Sequence, residues 1–142
     1  DRFLMGDKNA LSQNAKAGLE LFRGEAGCIA CHHGPLLSDE QFYHLGVSYR
    51  DTGRSRITGN KEDRFRFRTP SLRSVAETGP YMHDGSIETL EDVVLFYYRG
   101  VPDSGTDITA LRSQSISEVD LLVALLRSLS GPLPDITPPL LP

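Results

Sequence analysis

Cys28-Ile29-Ala30-Cys31-His32 is the stretch of sequence on which the fold prediction depends. It is a Cys-x-x-Cys-His motif, the pattern by which c-type haem is attached to a protein. Thiols three residues apart lie on the same side of one helical turn, so both can form thioethers with the two vinyl groups on one porphyrin edge. The adjacent imidazole is then placed to bind the iron. We therefore predict covalent haem c on Cys28 and Cys31, with His32 as the proximal ligand.

Three other uses of the two cysteines compete with haem attachment. A redox-active Cys-x-x-Cys is expected after a strand in a βαβ unit, and no such unit is recognisable in this sequence. The remaining alternatives are a free thiol pair or disulfide, and a zinc site. Zinc would need two further ligands, and the histidines that could supply them are His32, His33, His44 and His83. The motif favours haem over each of these readings.

Length and composition are consistent with one haem domain. The 142 residues are enough to bury a sizeable core. A net charge of −4 argues against a nucleic-acid partner, and no apolar run approaches the length of a membrane span. The chain begins at Asp1 without a signal peptide, so we expect a processed product or a piece of a longer protein. Because haem is attached to this motif outside the cytoplasm, the predicted compartment is the periplasm.

Hydrophobic periodicity predicts four amphipathic helices separated by long irregular stretches. The first covers about residues 11–22, and a short second helix follows Pro70. The third begins near Thr89 in a motif that resembles a capping box, and the fourth begins near Ser117. The candidate N-caps are Asn9, Ser12, Thr69, Thr89 and Ser117.

The predicted fold class is all-α: a cytochrome c-like haem domain over residues 1–130, with long irregular loops. Residues 131–142 are predicted to form an extended, Pro-rich C-terminal arm. They hold five of the nine prolines, so they cannot be helical. Such a tail is either a floppy end or an arm that lies on a neighbouring domain or subunit. The second reading is supported by the apolar residues Leu133, Ile136, Leu140 and Leu141.

Seven of the twelve arginines lie between Arg50 and Arg73. They could form a solvated basic face, pair with haem propionates, or dock against a facing domain. Within this segment, residues 64–68 alternate arginine and phenylalanine, so an extended backbone would turn Phe65 and Phe67 inward. We expect Phe67 to contact the haem pocket.

The second axial ligand of the iron also has to be identified, because it decides whether the haem serves electron transfer or ligand chemistry. Met5 lies before the first helix, whereas Met82 lies in a loop flanked by glycine and proline that can present one side chain inward. We predict Met82 as the distal ligand and keep His83 and His44 as alternatives. A thioether ligand favours ferrous iron and so raises the reduction potential.

Three segments carry a resemblance to a known family. They are residues 28–35 (CIACHHGP), 67–73 (FRTPSLR) and 79–86 (GPYMHDGS). Together with Asp1-Arg2-Phe3-Leu4 and the Pro-rich tail, they resemble the C-terminal, electron-transfer half of the bacterial di-haem cytochrome c peroxidases, over nearly the whole chain. The resemblance implies a low-spin, high-potential haem whose ligands correspond to His32 and Met82. In a related branch of the family, which matures a quinone cofactor in another enzyme, this distal ligand is Tyr; Met82 favours the peroxidase branch.

The resemblance also implies partners. An N-terminal domain would hold a second, peroxidatic haem that reduces hydrogen peroxide to water, and a small donor protein, a cytochrome c or a cupredoxin, would supply electrons. A calcium ion at the domain interface and a homodimer stay open, without assigned residues. This chain has a single Cys-x-x-Cys-His motif, however, so it is expected to pass electrons and to have little peroxidase activity alone. The alternative is a free-standing monohaem electron carrier.

Overall fold

The computed structural model describes residues 1–100, 105–107 and 116–132. Helix α1 spans Gln13–Arg23. It begins where predicted, because the hydroxyl of Ser12 accepts a hydrogen bond from the Ala15 N–H at 3.1 Å. It ends at Gly24, whose N–H donates back to the helix. The predicted C-terminal arm lies outside the described residues from position 133 onward.

Helix α4, Ile116–Arg127, packs closely against α1. Gly18 faces the α4 backbone, where a Cβ atom would stand 2.1 Å from the Leu121 carbonyl oxygen and 3.1 Å from the Leu125 Cβ. Only a residue without a side chain allows the two helices to approach so closely. The leucine-rich face of α4 then forms the centre of the core, through the buried residues Val119, Leu122, Val123, Leu125 and Leu126.

Helix α3, Leu90–Arg99, completes the core. The Thr89 hydroxyl accepts the Asp92 N–H at 3.1 Å, which confirms the predicted N-cap, and Gly100 ends the helix with a φ of 66°. Leu90 and Val94 are buried against the α4 side of the core.

The all-α prediction is wrong, because the structure also contains a two-stranded antiparallel sheet. Strand β1, Phe42–His44, pairs with strand β2, Arg66–Arg68, and Tyr43 stands opposite Phe67. Aromatic residues favour strands, and facing aromatic pairs stabilise them. Residues 64–68 do not form one extended segment as the period-two pattern predicts, because Phe65 has a left-handed φ of 61° and the strand is confined to β2. The strand that pairs with β2 lies more than twenty residues earlier in the chain.

The predicted short helix after Pro70 is also absent. Near Pro70 the Thr69 N–H donates to the Gln41 carbonyl at 2.8 Å, and the Thr69 carbonyl accepts the Ser38 hydroxyl at 2.8 Å. These backbone groups bind a neighbouring segment, so they cannot start a helix. A 3₁₀ turn follows instead at Val75–Glu77. The remaining helix, α2, is a single turn at Ser55–Thr58.

No helix among the described residues has both the length and the apolar character needed to cross a lipid bilayer.

We expect Gly18→Ala to lower the free energy of unfolding by about 1–3 kcal/mol or more, because overpacking outweighs the gain in helix propensity. Urea unfolding of the purified protein measures this change. Gly131→Ala is the matched control, since a Cβ atom there has nothing within 4 Å. Equal unfolding free energies for the two variants would show that α1 and α4 do not depend on the close approach at Gly18.

Candidate haem site

The cysteine motif follows directly from the end of α1. Gly27 adopts a left-handed backbone with a φ of 62°, and the 3₁₀ turn Cys28–Ala30 begins immediately after it. The Cys31 and His32 N–H groups donate to the Cys28 carbonyl at 3.3 and 2.9 Å. Side chains three residues apart eclipse one another on a 3₁₀ turn. The backbone therefore holds the two thiols on one side.

The two thiols are free and partly buried. Burial, and to a smaller extent the charge of Cys31, raise the pKa of the Cys28 thiol to about 11. Burial also raises the pKa of Cys31. A redox-active Cys-x-x-Cys needs a lowered thiol pKa, because the thiolate is the nucleophile. The surroundings of this pair act in the opposite direction, so the redox alternative receives no support.

The His32 ring is held in one orientation. Its Nδ1 lies 3.0 Å from the Leu37 carbonyl oxygen, so Nδ1 carries the proton and Nε2 keeps its lone pair. Burial lowers the pKa of His32, which favours the neutral imidazole that a metal requires. A metal-binding histidine is usually supported in this way, by a hydrogen bond from the ring nitrogen that does not bind the metal.

Asp39 and Tyr43 stand beside the motif. The Asp39 N–H donates to the Cys31 carbonyl at 2.7 Å, and the Tyr43 hydroxyl donates to Asp39 Oδ2 at 2.7 Å. The Tyr43 hydroxyl also interacts with the Cys31 thiol. The sequence analysis missed both residues, since neither belongs to a recognisable motif and Tyr43 reaches the site only through β1.

Met82 occupies a strained turn. Its φ of 68° is unusual for a residue with a side chain, and such strain costs on the order of 1–3 kcal/mol. A β-bridge between Tyr81 and Ile87 closes the turn, and Met82 itself is half-buried. Strain of this size is retained where the surrounding structure enforces it, often at functional sites.

Phe67 packs against the loop that contains Met82. Its ring stacks on the His83 ring, with centroids 3.6 Å apart and planes 12° apart. Phe67 therefore contacts His83, the exposed residue that follows the predicted distal ligand Met82. The predicted alternative His44 is buried elsewhere, where Nδ1 lies 3.0 Å from the Gly105 carbonyl oxygen and the ring packs against Tyr49 and Phe65.

Nothing in the sequence placed Tyr97, a residue of α3, near the cysteine motif. Burial, together with the charges of Cys28 and Cys31, raises the pKa of Tyr97 to about 12. The Tyr97 phenol is therefore electrostatically coupled to both thiols.

The donors of the motif fit haem c better than zinc. Two neutral thiols lie on one turn, followed by an imidazole that presents Nε2. Among residues 1–100, 105–107 and 116–132, no three or more histidine, cysteine, aspartate or glutamate side chains form a group that could hold a metal ion. The four-ligand zinc alternative therefore has no site in these parts of the chain.

Comparison with known proteins places the chain in a family. It is 39% identical to cytochrome c551 peroxidase of Nitrosomonas europaea over its full length, and 38% identical to cytochrome-c peroxidase IdrP1 of Denitromonas iodatirespirans over 92% of its length. It is 37% identical to the methylamine utilization protein MauG of Methylorubrum extorquens over its full length. The chain spans 42–44% of the length of these relatives.

The fold agrees with these relatives. The structure superposes on the crystal structure of a MauG-like protein associated with microbial copper homeostasis with a TM-score of 0.77 and 28% identity, covering 86% of this chain and 48% of that one. No family model matches the chain. The chain belongs to the family of bacterial cytochrome c peroxidases and MauG proteins, and the predicted family is confirmed.

The raised thiol pKa values predict how the two cysteines react in chain prepared without haem. Alkylation by iodoacetamide should be slow at pH 8, and the rate at Cys28 should keep rising as the pH approaches about 11, because only the thiolate reacts. Peptide mass mapping over a pH series measures each site. A Cys28 rate that levels off below pH 8 would contradict the buried, neutral thiol.

Proposed function

We propose that this chain is a haem c domain that transfers electrons. In this proposal Cys28 and Cys31 hold one haem through thioethers, and His32 is the proximal ligand. The observation that carries the proposal is the single turn that presents two unpaired thiols and then an imidazole whose Nδ1 is fixed by the Leu37 carbonyl. When bound, the haem supplies an iron that changes oxidation state by one electron.

The chain's own residues prepare this site in four ways. The 3₁₀ turn orients both thiols on one side, and the Leu37 carbonyl fixes the His32 ring. Burial keeps His32 neutral and so available as a ligand. Phe67, which stacks on His83, supports the loop of Met82 and is proposed to line the haem pocket.

Two residues compete for the distal position. Met82 is supported by the strained, closed turn that presents it, and a thioether there would suit an electron-transfer haem of high potential. Tyr97 is the second candidate because its phenol is electrostatically coupled to Cys28 and Cys31, but its raised pKa opposes the phenolate form that would bind iron. A phenolate ligand would stabilise ferric iron and lower the potential. Met82 stays our sequence-based proposal, and Tyr97 is the candidate that the packing of α3 adds.

We propose that this chain is the electron-entry half of a longer, di-haem peroxidase. Its relatives named as peroxidases are more than twice as long as this chain, which leaves room for a second haem domain. That domain would reduce hydrogen peroxide to water in the periplasm, with electrons from a small cytochrome c or cupredoxin. A free-standing monohaem carrier is the alternative. A second Cys-x-x-Cys-His motif encoded upstream in the same gene would decide for the di-haem protein.

His32→Ala should abolish the low-spin haem spectrum while the thioethers still hold the haem. His33→Ala is the matched control, because His33 is the exposed neighbour and should leave the spectrum unchanged. Optical spectra of both ferric proteins, prepared with a haem-attachment system, measure the difference. A low-spin spectrum retained in His32→Ala would contradict its role as an axial ligand.

The distal ligand is identified by comparing Met82→Ala with Tyr97→Phe. If Met82 is the ligand, the weak near-infrared thioether-to-iron band of the ferric protein is lost in Met82→Ala and kept in Tyr97→Phe. In that case the unmodified chain should also show far less hydrogen-peroxide turnover than the ~1–1000 per second of ordinary enzymes. A parental protein without the band, whose spectrum changes only in Tyr97→Phe, would contradict Met82 and assign the position to Tyr97.

A further inference from the structure

The proximal side of the proposed haem site contains one organised negative charge. Asp39 Oδ2 accepts the Tyr43 hydroxyl at 2.7 Å, and Asp39 Oδ1 accepts the Gln41 N–H at 3.0 Å. Burial alone would raise the pKa of Asp39, but these hydrogen bonds and one from Thr69 lower it. The side chain is therefore a carboxylate at neutral pH.

This carboxylate is tied to the haem motif. The Asp39 N–H donates to the Cys31 carbonyl at 2.7 Å, so its position relative to the motif is set by the backbone. The charge of Asp39 affects the pKa values of Cys31 and His32. It adds to the effect of burial in raising the pKa of Cys31, and it opposes the effect of burial on His32, whose pKa burial lowers.

We propose that Asp39, held by Tyr43, is a positioning residue that lowers the reduction potential of the bound haem. A fixed negative charge near the iron stabilises the ferric state, which carries one more positive charge than the ferrous state. The effect requires the charge to stay in place and partly shielded from water, and the Tyr43 hydroxyl and the Cys31 carbonyl provide this. The inference rests on the proposed haem attachment but not on the identity of the distal ligand.

The neighbouring acidic residue provides a matched control. Glu40 follows Asp39 directly and carries the same charge, but it is exposed and pairs with Arg68. Asp39→Asn and Glu40→Gln therefore remove one negative charge each from adjacent positions. Asn keeps an oxygen that can accept the Gln41 N–H, so the turn at Asp39 is preserved.

The test is a redox titration of the haem-loaded protein, followed by haem absorbance. The midpoint potential should rise in Asp39→Asn, and by clearly more than in Glu40→Gln. It should also rise in Tyr43→Phe, by less than in Asp39→Asn, because the carboxylate then loses the hydrogen bond that holds it in place. A rise in Asp39→Asn no larger than that in Glu40→Gln would overturn the proposal, since any surface charge would then have the same effect.

A variant that does not fold and a parental chain without covalent haem both need to be separated from a failure of the proposal. If Asp39→Asn does not fold, Tyr43→Phe decides alone: a higher potential supports the proposal, and an unchanged or lower one overturns it. The mass of the parental protein is measured first. A parental chain without covalent haem would defeat the proposed function itself, whereas loaded variants with equal potentials would defeat only the role of Asp39.

Discussion

The close approach of α1 to α4 at Gly18 is the contact on which the rest of the structure depends. A Cβ atom at this position would collide with the Leu121 carbonyl, so the two helix backbones are nearly in contact. This contact fixes the direction in which α1 ends, and the cysteine turn follows within a few residues of that end. The packing of two helices is thereby transmitted to the position of two thiols and an imidazole.

The site combines neutral donors with one fixed charge. Burial keeps the Cys28 thiol and the His32 ring uncharged, which suits groups that bond covalently or coordinate. Burial alone would raise the pKa of Asp39, but hydrogen bonds from Tyr43 and the neighbouring backbone lower it and keep the side chain ionised. With uncharged axial ligands the iron–porphyrin core would carry a net positive charge only in the ferric state, which is the state that the proposed carboxylate next to the motif would favour.

Local signals in the sequence predicted the parts of the fold that are held by local interactions. Ser12 and Thr89 were predicted as N-caps, and each accepts a hydrogen bond from the backbone N–H three residues later. The pairing of β1 with β2 could not be read in the same way, since it joins segments far apart in the chain. Pro70 gave a false helix signal because the backbone at Thr69 binds other loops. The same distinction holds at the site: the motif residues were evident, whereas Asp39, Tyr43 and Tyr97 join it only through tertiary packing.

The central claim is that Cys28 and Cys31 bind haem covalently, and the intact mass of the protein tests it most directly. The chain is produced in a periplasm that contains a haem-attachment system and is measured under denaturing conditions, which remove any haem held without thioethers. The expected mass is that of the polypeptide plus one haem. When both cysteines are replaced by alanine, the expected mass is that of the bare polypeptide. A bare polypeptide mass for the unmodified chain would contradict the central claim.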